Sequence, residues 1–279
     1  MTEVRLLSKF GAALAVARRD LRIMFRYPTW SISLLIWPSL FPLAYIFSSK
    51  ALAGPGGESL STYARYAGTT DYVAYILTGT FMWMWMNVTL WGLGTALRNE
   101  QQRGTLETSW LTPAPKWLLL LGSAMSDLVQ FCSYMIIGWF EFYFFFGLRV
   151  HGSPALLLLV VLLTIPSVYG LGMVFASAVL WVKETNLAVN VVRGIMMVFC
   201  GMTYPISVLP LWMQGVSQGI PLTHAINATR TVIAGGNWPA VASDVTFLTV
   251  SGAVLLAAGF ASFALAQRVA QRQGSLSFY

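Results

Sequence analysis

Long apolar runs alternate with short polar segments along this chain of 279 residues. Six of the runs are continuous, and they cover residues 30–49, 71–97, 117–148, 154–182, 187–209 and 241–267. Each has roughly the 20 residues that a helix needs to cross the ~30 Å hydrocarbon core of a bilayer. A membrane β-barrel would show alternating segments of about 10 residues instead. The pattern therefore predicts an all-α integral membrane protein with six transmembrane helices.

Two further segments are predicted to lie at the membrane without crossing it. In residues 1–29, apolar side chains recur at helical spacing while arginines occupy the other faces, which favours an amphipathic helix along the inner membrane surface; the apolar positions are Phe10, Leu14, Ala17, Leu21 and Met24. Residues 210–236 are too broken by Pro and Gly to cross the bilayer and too apolar for a solvated loop. We expect external re-entrant helices there. Residues 30–267 then form the transmembrane domain, and residues 268–279 form a cytoplasmic tail.

The distribution of basic residues predicts the orientation of these spans. If both termini are cytoplasmic, 13 of the 17 Lys and Arg residues lie on the cytoplasmic side, and only Lys50, Arg65, Arg149 and Arg230 lie outside. Cytoplasmic segments of membrane proteins carry such an excess. The net charge of +7 follows from this topology, so no nucleic-acid partner is expected.

Composition and motifs argue against an enzyme in this chain. Residues are 57% hydrophobic and 10% charged, whereas soluble domains carry about 25% charged residues. None of the lysines belongs to a G-x-x-x-x-G-K-[ST] phosphate loop, and neither a G-x-S-x-G elbow nor an H-E-x-x-H helix is present. We therefore predict no catalytic residue, metal or cofactor in this chain.

The polar stretch NEQQRGTLETSWLTPAPKW separates the second and third runs. Gly104 permits a hinge, Thr105 can cap a helix start, and Glu107 suits the positive end of the helix dipole. Leu106 and Trp110 share one face at i and i+4, and two prolines then forbid continuation. The pattern predicts a short cytoplasmic helix at about 105–111 that presents Leu106 and Trp110 to a partner. An interfacial turn with Trp110 in the headgroups fits these residues equally well.

A candidate substrate path runs along the second span, where FMWMWMNVTLW combines adaptable apolar side chains with one amide. The candidate residues are Trp83, Met86, Asn87, Glu141, Met196 and Phe199. Ordinary helix packing with an aromatic belt is the alternative. Asp127 and Glu141 are ionisable residues inside spans, where burial is expensive. Each can serve a structural contact, substrate contact or a proton relay.

The run RNEQQRGTLETSWLTPAPKWLLLLGSAMSD resembles the signature of ABC-2 type transporter permeases. The matching positions are Glu100, Arg103, Gly104, Thr105, Leu106, Glu107, Thr112 and Pro113. Ser109 departs from the pattern, which usually has an apolar residue there. The later run VKETNLAVNVVRGIMMVFCGMTYPISVLPLWMQGVSQGIPLTHAINATR is similar to the last cytoplasmic loop, fifth span and external hairpin of the family.

The resemblance implies a permease subunit of an ABC exporter in the bacterial plasma (inner) membrane. Such a subunit pairs with a second permease, either a copy or a relative, and docks a separate ATPase that binds ATP and Mg. The helix at 105–111 would be the coupling helix, with Arg103 and Glu107 in polar contacts and Leu106 and Trp110 filling a groove of the ATPase. An amphipathic drug, lipid or lipid-linked molecule is the expected cargo. The alternatives are a polysaccharide or lipid-linked glycan exporter of the same family, an ion-coupled secondary transporter, and a membrane anchor or regulator that transports nothing.

Overall fold

A computed structural model describes residues 2–53, 60–102, 115–179 and 185–273. The regular elements in these ranges are all helical, in agreement with the predicted all-α class. They are α1 (Thr2–Arg26), α2 (Pro28–Ala53), α3 (Leu60–Ala67), α4 (Tyr72–Gln102), α5 (Trp117–Phe146), α6 (Pro154–Val179), α7 (Thr185–Phe199), a 3-10 turn (Ile206–Val208), α8 (Leu211–Gln218), α9 (Pro221–Ile233) and α10 (Trp238–Gln273).

Five helices in the described ranges are long and apolar enough to cross a membrane. Their apolar parts are Pro28–Ala53, Tyr72–Ala96, Trp117–Phe146, Pro154–Val179 and Trp238–Val269. They lie where the first, second, third, fourth and sixth spans are predicted, with ends that differ by a few residues. The fold is therefore that of a multi-pass membrane protein.

The predicted fifth span, 187–209, is wrong in its second half. Helix α7 covers 15 residues and ends at Phe199, so it is about 22 Å long and shorter than the ~30 Å hydrocarbon core. Gly201 has φ +67°, a left-handed conformation that turns the chain away from the helix axis. The Tyr204 hydroxyl donates to the Val198 carbonyl at 2.5 Å and closes this end.

Helix α4 lies at the centre of the protein. All side chains of residues 81–86 are at most 5% exposed, so this helix is covered by protein on every side. Trp85 stacks on Phe131 of α5, with 4.3 Å between ring centroids, and meets Tyr169 of α6 edge to face. Helices α2, α7 and α9 contact α4 as well.

Helices α6 and α10 form the closest long helix pair, because small residues line their contact. A Cβ atom added to Gly170 would lie 2.6 Å from the Leu255 carbonyl carbon, and one added to Gly259 would lie 2.9 Å from the Gly170 carbonyl oxygen. Small residues permit such close approach of backbones in membrane helices. Two serine hydroxyls, of Ser262 and Ser177, add a hydrogen bond of 3.3 Å between the helices.

Helix α1 lies where the N-terminal amphipathic helix is predicted, and its fully buried residues are small. Ala13 and Ala17 are buried, whereas Leu14 and Phe25 are more than half exposed. An added Cβ at Gly122 of α5 would lie 2.8 Å from the Ala13 carbonyl. The position of α1 on the membrane surface stays a prediction, with Leu14 and Phe25 on the available face.

Helices α8 and α9 occupy the predicted re-entrant segment 210–236. Neither is long enough to cross a bilayer, at 8 and 13 residues. Their depth in the membrane stays a prediction. The predicted tail, 268–279, continues α10 as far as Gln273, and residues 274–279 lie outside the described ranges.

Candidate functional site

The six residues predicted to couple this chain to an ATPase lie outside the described residues. They are Arg103, Gly104, Thr105, Leu106, Glu107 and Trp110. Both sides of this segment are described, since α4 ends at Gln102 and α5 begins at Trp117.

Helix α1 connects the two flanks of the segment through adjacent polar residues. The Arg19 guanidinium lies 2.7 Å from the carboxylate of Glu100, near the end of α4. The Ser123 hydroxyl of α5 donates to Asp20 at 3.2 Å, and Arg19 also pairs with Asp20 at 2.9 Å. Burial lowers the pKa of Arg19, but the two carboxylates outweigh it and raise the pKa above its ordinary value. Arg19 therefore stays charged and holds the end of α4 to α1, whereas Asp20 holds the beginning of α5.

Two of the predicted path residues meet α2 and α7 on one side of α4. The Trp83 ring stacks on Phe41 with 5.0 Å between centroids, and its indole N–H donates to the Arg193 carbonyl at 3.4 Å. The Arg193 side chain lies over the Trp83 ring at 5.8 Å and reaches the Asn87 amide oxygen at 3.5 Å. Trp83 and Asn87 are thus linked through Arg193.

The structure does not bring the other predicted path residues to the same place. Met86 is buried in the centre of the bundle, with 3% exposure. Glu141 accepts a hydrogen bond from Ser39 and joins α5 to α2. Met196 packs against the central core, and Phe199 meets Trp212 of α8 edge to face. Their roles in transport stay predictions.

A polar cavity of about 520 Å³ opens between α1, α4 and α5. Of the predicted path residues, only Asn87 lines it. The lining includes three carboxylates and one cation, with amides, hydroxyls and three large aromatic side chains. The lining residues are Arg19, Asp20, Ile23, Met24, Trp30, Asn87, Val88, Trp91, Gly92, Thr95, Ala96, Asn99, Glu100, Ser123, Ser126, Asp127, Gln130 and Tyr134.

Asp127 is a buried carboxylate of this cavity that forms no ion pair among the described residues. Its side chain is on α5, the residue is 8% exposed, and its Oδ2 atom has no hydrogen-bond partner. The carboxylate packs against the backbone of Gly92 on α4, where a Cβ atom would overlap it. Glycine at position 92 therefore makes room for the Asp127 carboxyl group inside the bundle.

The sequence alone predicts Asp127 as a candidate residue, but it does not predict which residues surround it. Asp127 is recognisable as an ionisable residue within a span. Asp20 carries no such signal, because it stands among arginines in a polar helix. Small residues at 13 and 17, four positions apart, are a signal for close packing of α1 that sequence reasoning can use.

On the opposite end of the bundle, Arg230 of α9 holds three elements together. Its guanidinium donates to the Tyr75 carbonyl at 3.0 and 3.1 Å and to the Met202 carbonyl at 2.7 Å. It also lies 3.4 Å from the centroid of the Tyr75 ring. Arg230, Asn227 and Thr231 line a second cavity of about 680 Å³ there.

A histidine–carboxylate pair joins α9 to the beginning of α10. His224 Nδ1 lies 2.6 Å from Asp244, and Nε2 lies 2.9 Å from the Gln218 carbonyl. Burial lowers the pKa of His224, but the hydrogen bonds to Asp244 and Gln218 raise it more, so the net shift is upward.

Comparison with known proteins agrees with the architecture. Residues 12–234 match the family described as ABC-2 type transporter. Over 111 residues, 37% of this chain, the sequence is 28% identical to the linearmycin resistance permease protein LnrN of Bacillus subtilis (strain 168). The match spans 29% of that relative's length. Because the family match covers most of the sequence, this chain belongs to the ABC-2 type transporter family of membrane subunits.

Proposed function

We propose that this chain is the transmembrane subunit of an ATP-binding cassette exporter. It moves an amphipathic drug, lipid or lipid-linked molecule across the bacterial plasma membrane. A separate ATPase subunit binds ATP and Mg and performs the hydrolysis. The observation that carries the proposal is the family match across residues 12–234.

Export of an amphipathic compound is supported by two observations. The matched relative is named for resistance to linearmycin, and a permease can confer resistance by removing the compound from the cell. The core of the bundle around α4 is aromatic and apolar, with Trp83 and Met86 among its buried residues. Such side chains adapt to irregular apolar ligands.

The proposed topology has six membrane crossings with both termini in the cytoplasm. Helix α7 supplies the fifth crossing together with the segment that follows Gly201 and the short helices α8 and α9, which enter from outside. Helix α1 lies along the inner surface. The distribution of Lys and Arg supports this orientation.

The helix at 105–111 is the proposed contact with the ATPase. Its flanks support this role, since Arg19 and Asp20 of α1 hold Glu100 and Ser123 on either side of the segment. A segment held at both ends transmits a push to α4 and α5 instead of bending freely. The second permease of the complex would receive the same push through its own coupling helix.

The decisive experiment is co-purification of an ATPase with the tagged chain in mild detergent, for the native protein and for Trp110→Ala and Leu106→Asp. A buried aromatic anchor at an interface contributes about 2 kcal/mol or more, so we expect at least about 30-fold weaker ATPase association in each variant. Trp139→Ala is the matched control, because Trp139 is exposed on the outer surface of α5.

Transport is then measured as nucleotide-dependent movement of an amphipathic dye in liposomes. The native complex should require ATP, and the two variants should lose movement while the spans stay folded. Unchanged ATPase association in both variants would remove the coupling helix from the proposal. Movement without any ATPase would favour a secondary transporter instead.

A further inference from the structure

The cavity between α1, α4 and α5 has an excess of negative charge. Asp20, Glu100 and Asp127 line it, and Arg19 is the cation that lines it. Arg19 is engaged by Asp20 and Glu100, at 2.9 and 2.7 Å. No ion pair joins Asp127 to a cation among the described residues. This acidic cavity lies at the end of the bundle that is predicted to be cytoplasmic, where most of the Lys and Arg residues are also predicted to lie.

Asp127 indicates a ligand-binding site, because its side chain is almost completely buried and its Oδ2 atom lacks a hydrogen-bond partner. An unpaired buried carboxylate is costly, since it loses hydration without compensation. The cost is offset when a cation enters the cavity beside it. Because Gly92 has no side chain, the space beside it is available to the Asp127 carboxylate.

The size and lining of the cavity favour an organic cation. A volume of about 520 Å³ is within the range of about 300–1,000 Å³ for small-molecule sites and far exceeds that of a single ion. No cluster of three metal-ligating side chains occurs in the described part of the chain. Trp30, Trp91 and Tyr134 also line the cavity, and aromatic faces attract ammonium groups.

Part of the lining of the cavity is apolar. Trp30 lines it from the beginning of α2 and is 47% exposed. Ile23 and Met24 of α1 line it as well. These side chains suit an alkyl chain attached to an ammonium group beside Asp127.

We propose that this cavity binds the protonated amine head of an amphiphile from the inner leaflet, with Asp127 as its counter-ion, and so selects cationic amphiphiles as cargo. The selection of cargo rests on the proposed exporter function, whereas binding of the amine does not. The ammonium group can belong to an exported compound or to an amine-bearing membrane lipid. The experiment separates these two sources.

The probe is radiolabelled dodecylamine, with dodecanol as the neutral probe of equal chain length. Equilibrium binding is measured for the full chain in nanodiscs of phosphatidylglycerol, with binding to empty discs subtracted. Asp127→Asn removes the charge and keeps the shape, so we expect about tenfold or greater loss of dodecylamine affinity and no change for dodecanol. Gly92→Ala displaces the carboxylate without deleting it and should weaken dodecylamine binding as well. Asp244→Asn is the matched control outside the cavity.

Equal dodecylamine affinity in the native chain and Asp127→Asn would overturn the proposal. Parallel loss of both probes would also overturn it, because the effect would then be one of shape or folding. In discs that contain phosphatidylethanolamine, weakened binding of dodecylamine identifies the lipid headgroup as a resident ligand of the same site. Unchanged binding in those discs identifies the site as selective for the added amphiphile.

The two proposals fail in different ways. If dodecylamine binding depends on Asp127 but no ATPase co-purifies, the exporter assignment and the selection of cargo fail and the ammonium site stands. If the ATPase co-purifies and ATP drives transport, but Asp127→Asn binds dodecylamine normally, the ammonium site fails and the exporter stands.

Discussion

Replacement of Arg230 by Met is expected to destabilise strongly the end of the bundle where α9 meets the beginning of α4. Arg230 belongs to α9, and its guanidinium bonds to the carbonyls of Tyr75, at the start of α4, and Met202, just after α7. The Tyr75 carbonyl lies in the first turn of α4, and the Met202 carbonyl lies beyond the end of α7. Arg230→Met removes the contacts to both and also the guanidinium over the Tyr75 ring.

The magnitude follows from the number of contacts. Hydrogen bonds to charged groups contribute about 1.5–3 kcal/mol each. Counting the two bonds to the Tyr75 carbonyl as one contact and the bond to Met202 as another, the loss is about 3–6 kcal/mol. At about 2–4 °C per kcal/mol for a chain near this size, the melting temperature should fall by roughly 6–24 °C.

The assay is thermal unfolding of the purified chain in detergent, followed by tryptophan fluorescence. Arg230→Lys keeps the charge, but one ammonium group does not reproduce the planar fork of guanidinium donors, so its melting temperature should lie between those of the native chain and Arg230→Met. Arg149→Met is the control, because Arg149 is exposed. If Arg230→Met melts no lower than Arg149→Met, the guanidinium is not holding α4, α7 and α9 together.

Two further changes test contacts elsewhere in the fold. The His224–Asp244 pair raises the pKa of His224 above its ordinary value of 6.5; its stabilisation is therefore complete below pH 6.5 and is lost as the pH rises through the raised value. Unfolding temperatures measured from pH 5.5 to about 9 should fall across that window for the native chain and stay level for His224→Gln; parallel curves would contradict the pairing. Gly122→Ala places a Cβ atom 2.5 Å from Val16 of α1, so overpacking should reduce the free energy of unfolding by about 1–3 kcal/mol. Gly194→Ala, which meets open space, is the control, and equal melting temperatures would show that α1 does not approach α5 this closely.

The apolar runs were sufficient to predict where long helices occur, because length and hydropathy decide which segments satisfy their backbone groups in lipid. They were not sufficient at α7, where Gly201 and Pro205 interrupt a run that is mostly apolar. The Gly and Pro of GMTYP are typical of a helix end and indicate a shorter span. Apolar composition alone indicates which segments can enter the membrane, but not where each helix ends.

The central position of α4 was not predictable from its residues. Helices α2 and α4 are both apolar on nearly all faces, so periodicity does not show that α4 faces protein and α2 largely faces outward. Trp83 and Met86 are therefore predicted as path residues from their chemistry alone. The structure places Trp83 against Phe41 and Met86 within the core. Which side chains meet depends on the packing of small residues such as Gly122, Gly170 and Gly259, whose partners are distant in the sequence.

The carboxylate-lined cavity lies beside the contacts that hold the ends of α4 and α5 next to the proposed coupling helix. Arg19 and Asp20 line the cavity and also hold Glu100 and Ser123, which flank the segment that contains residues 105–111. A displacement of that segment therefore moves the ends of α4 and α5 with α1, and these three helices form the walls around Asp127. A change in the separation of α4 and α5 alters the contact between the Asp127 carboxylate and Gly92. If the segment 105–111 binds an ATPase as proposed, ligand binding at Asp127 and ATPase binding are expected to be coupled in both directions, since any coupling free energy between two binding sites is reciprocal.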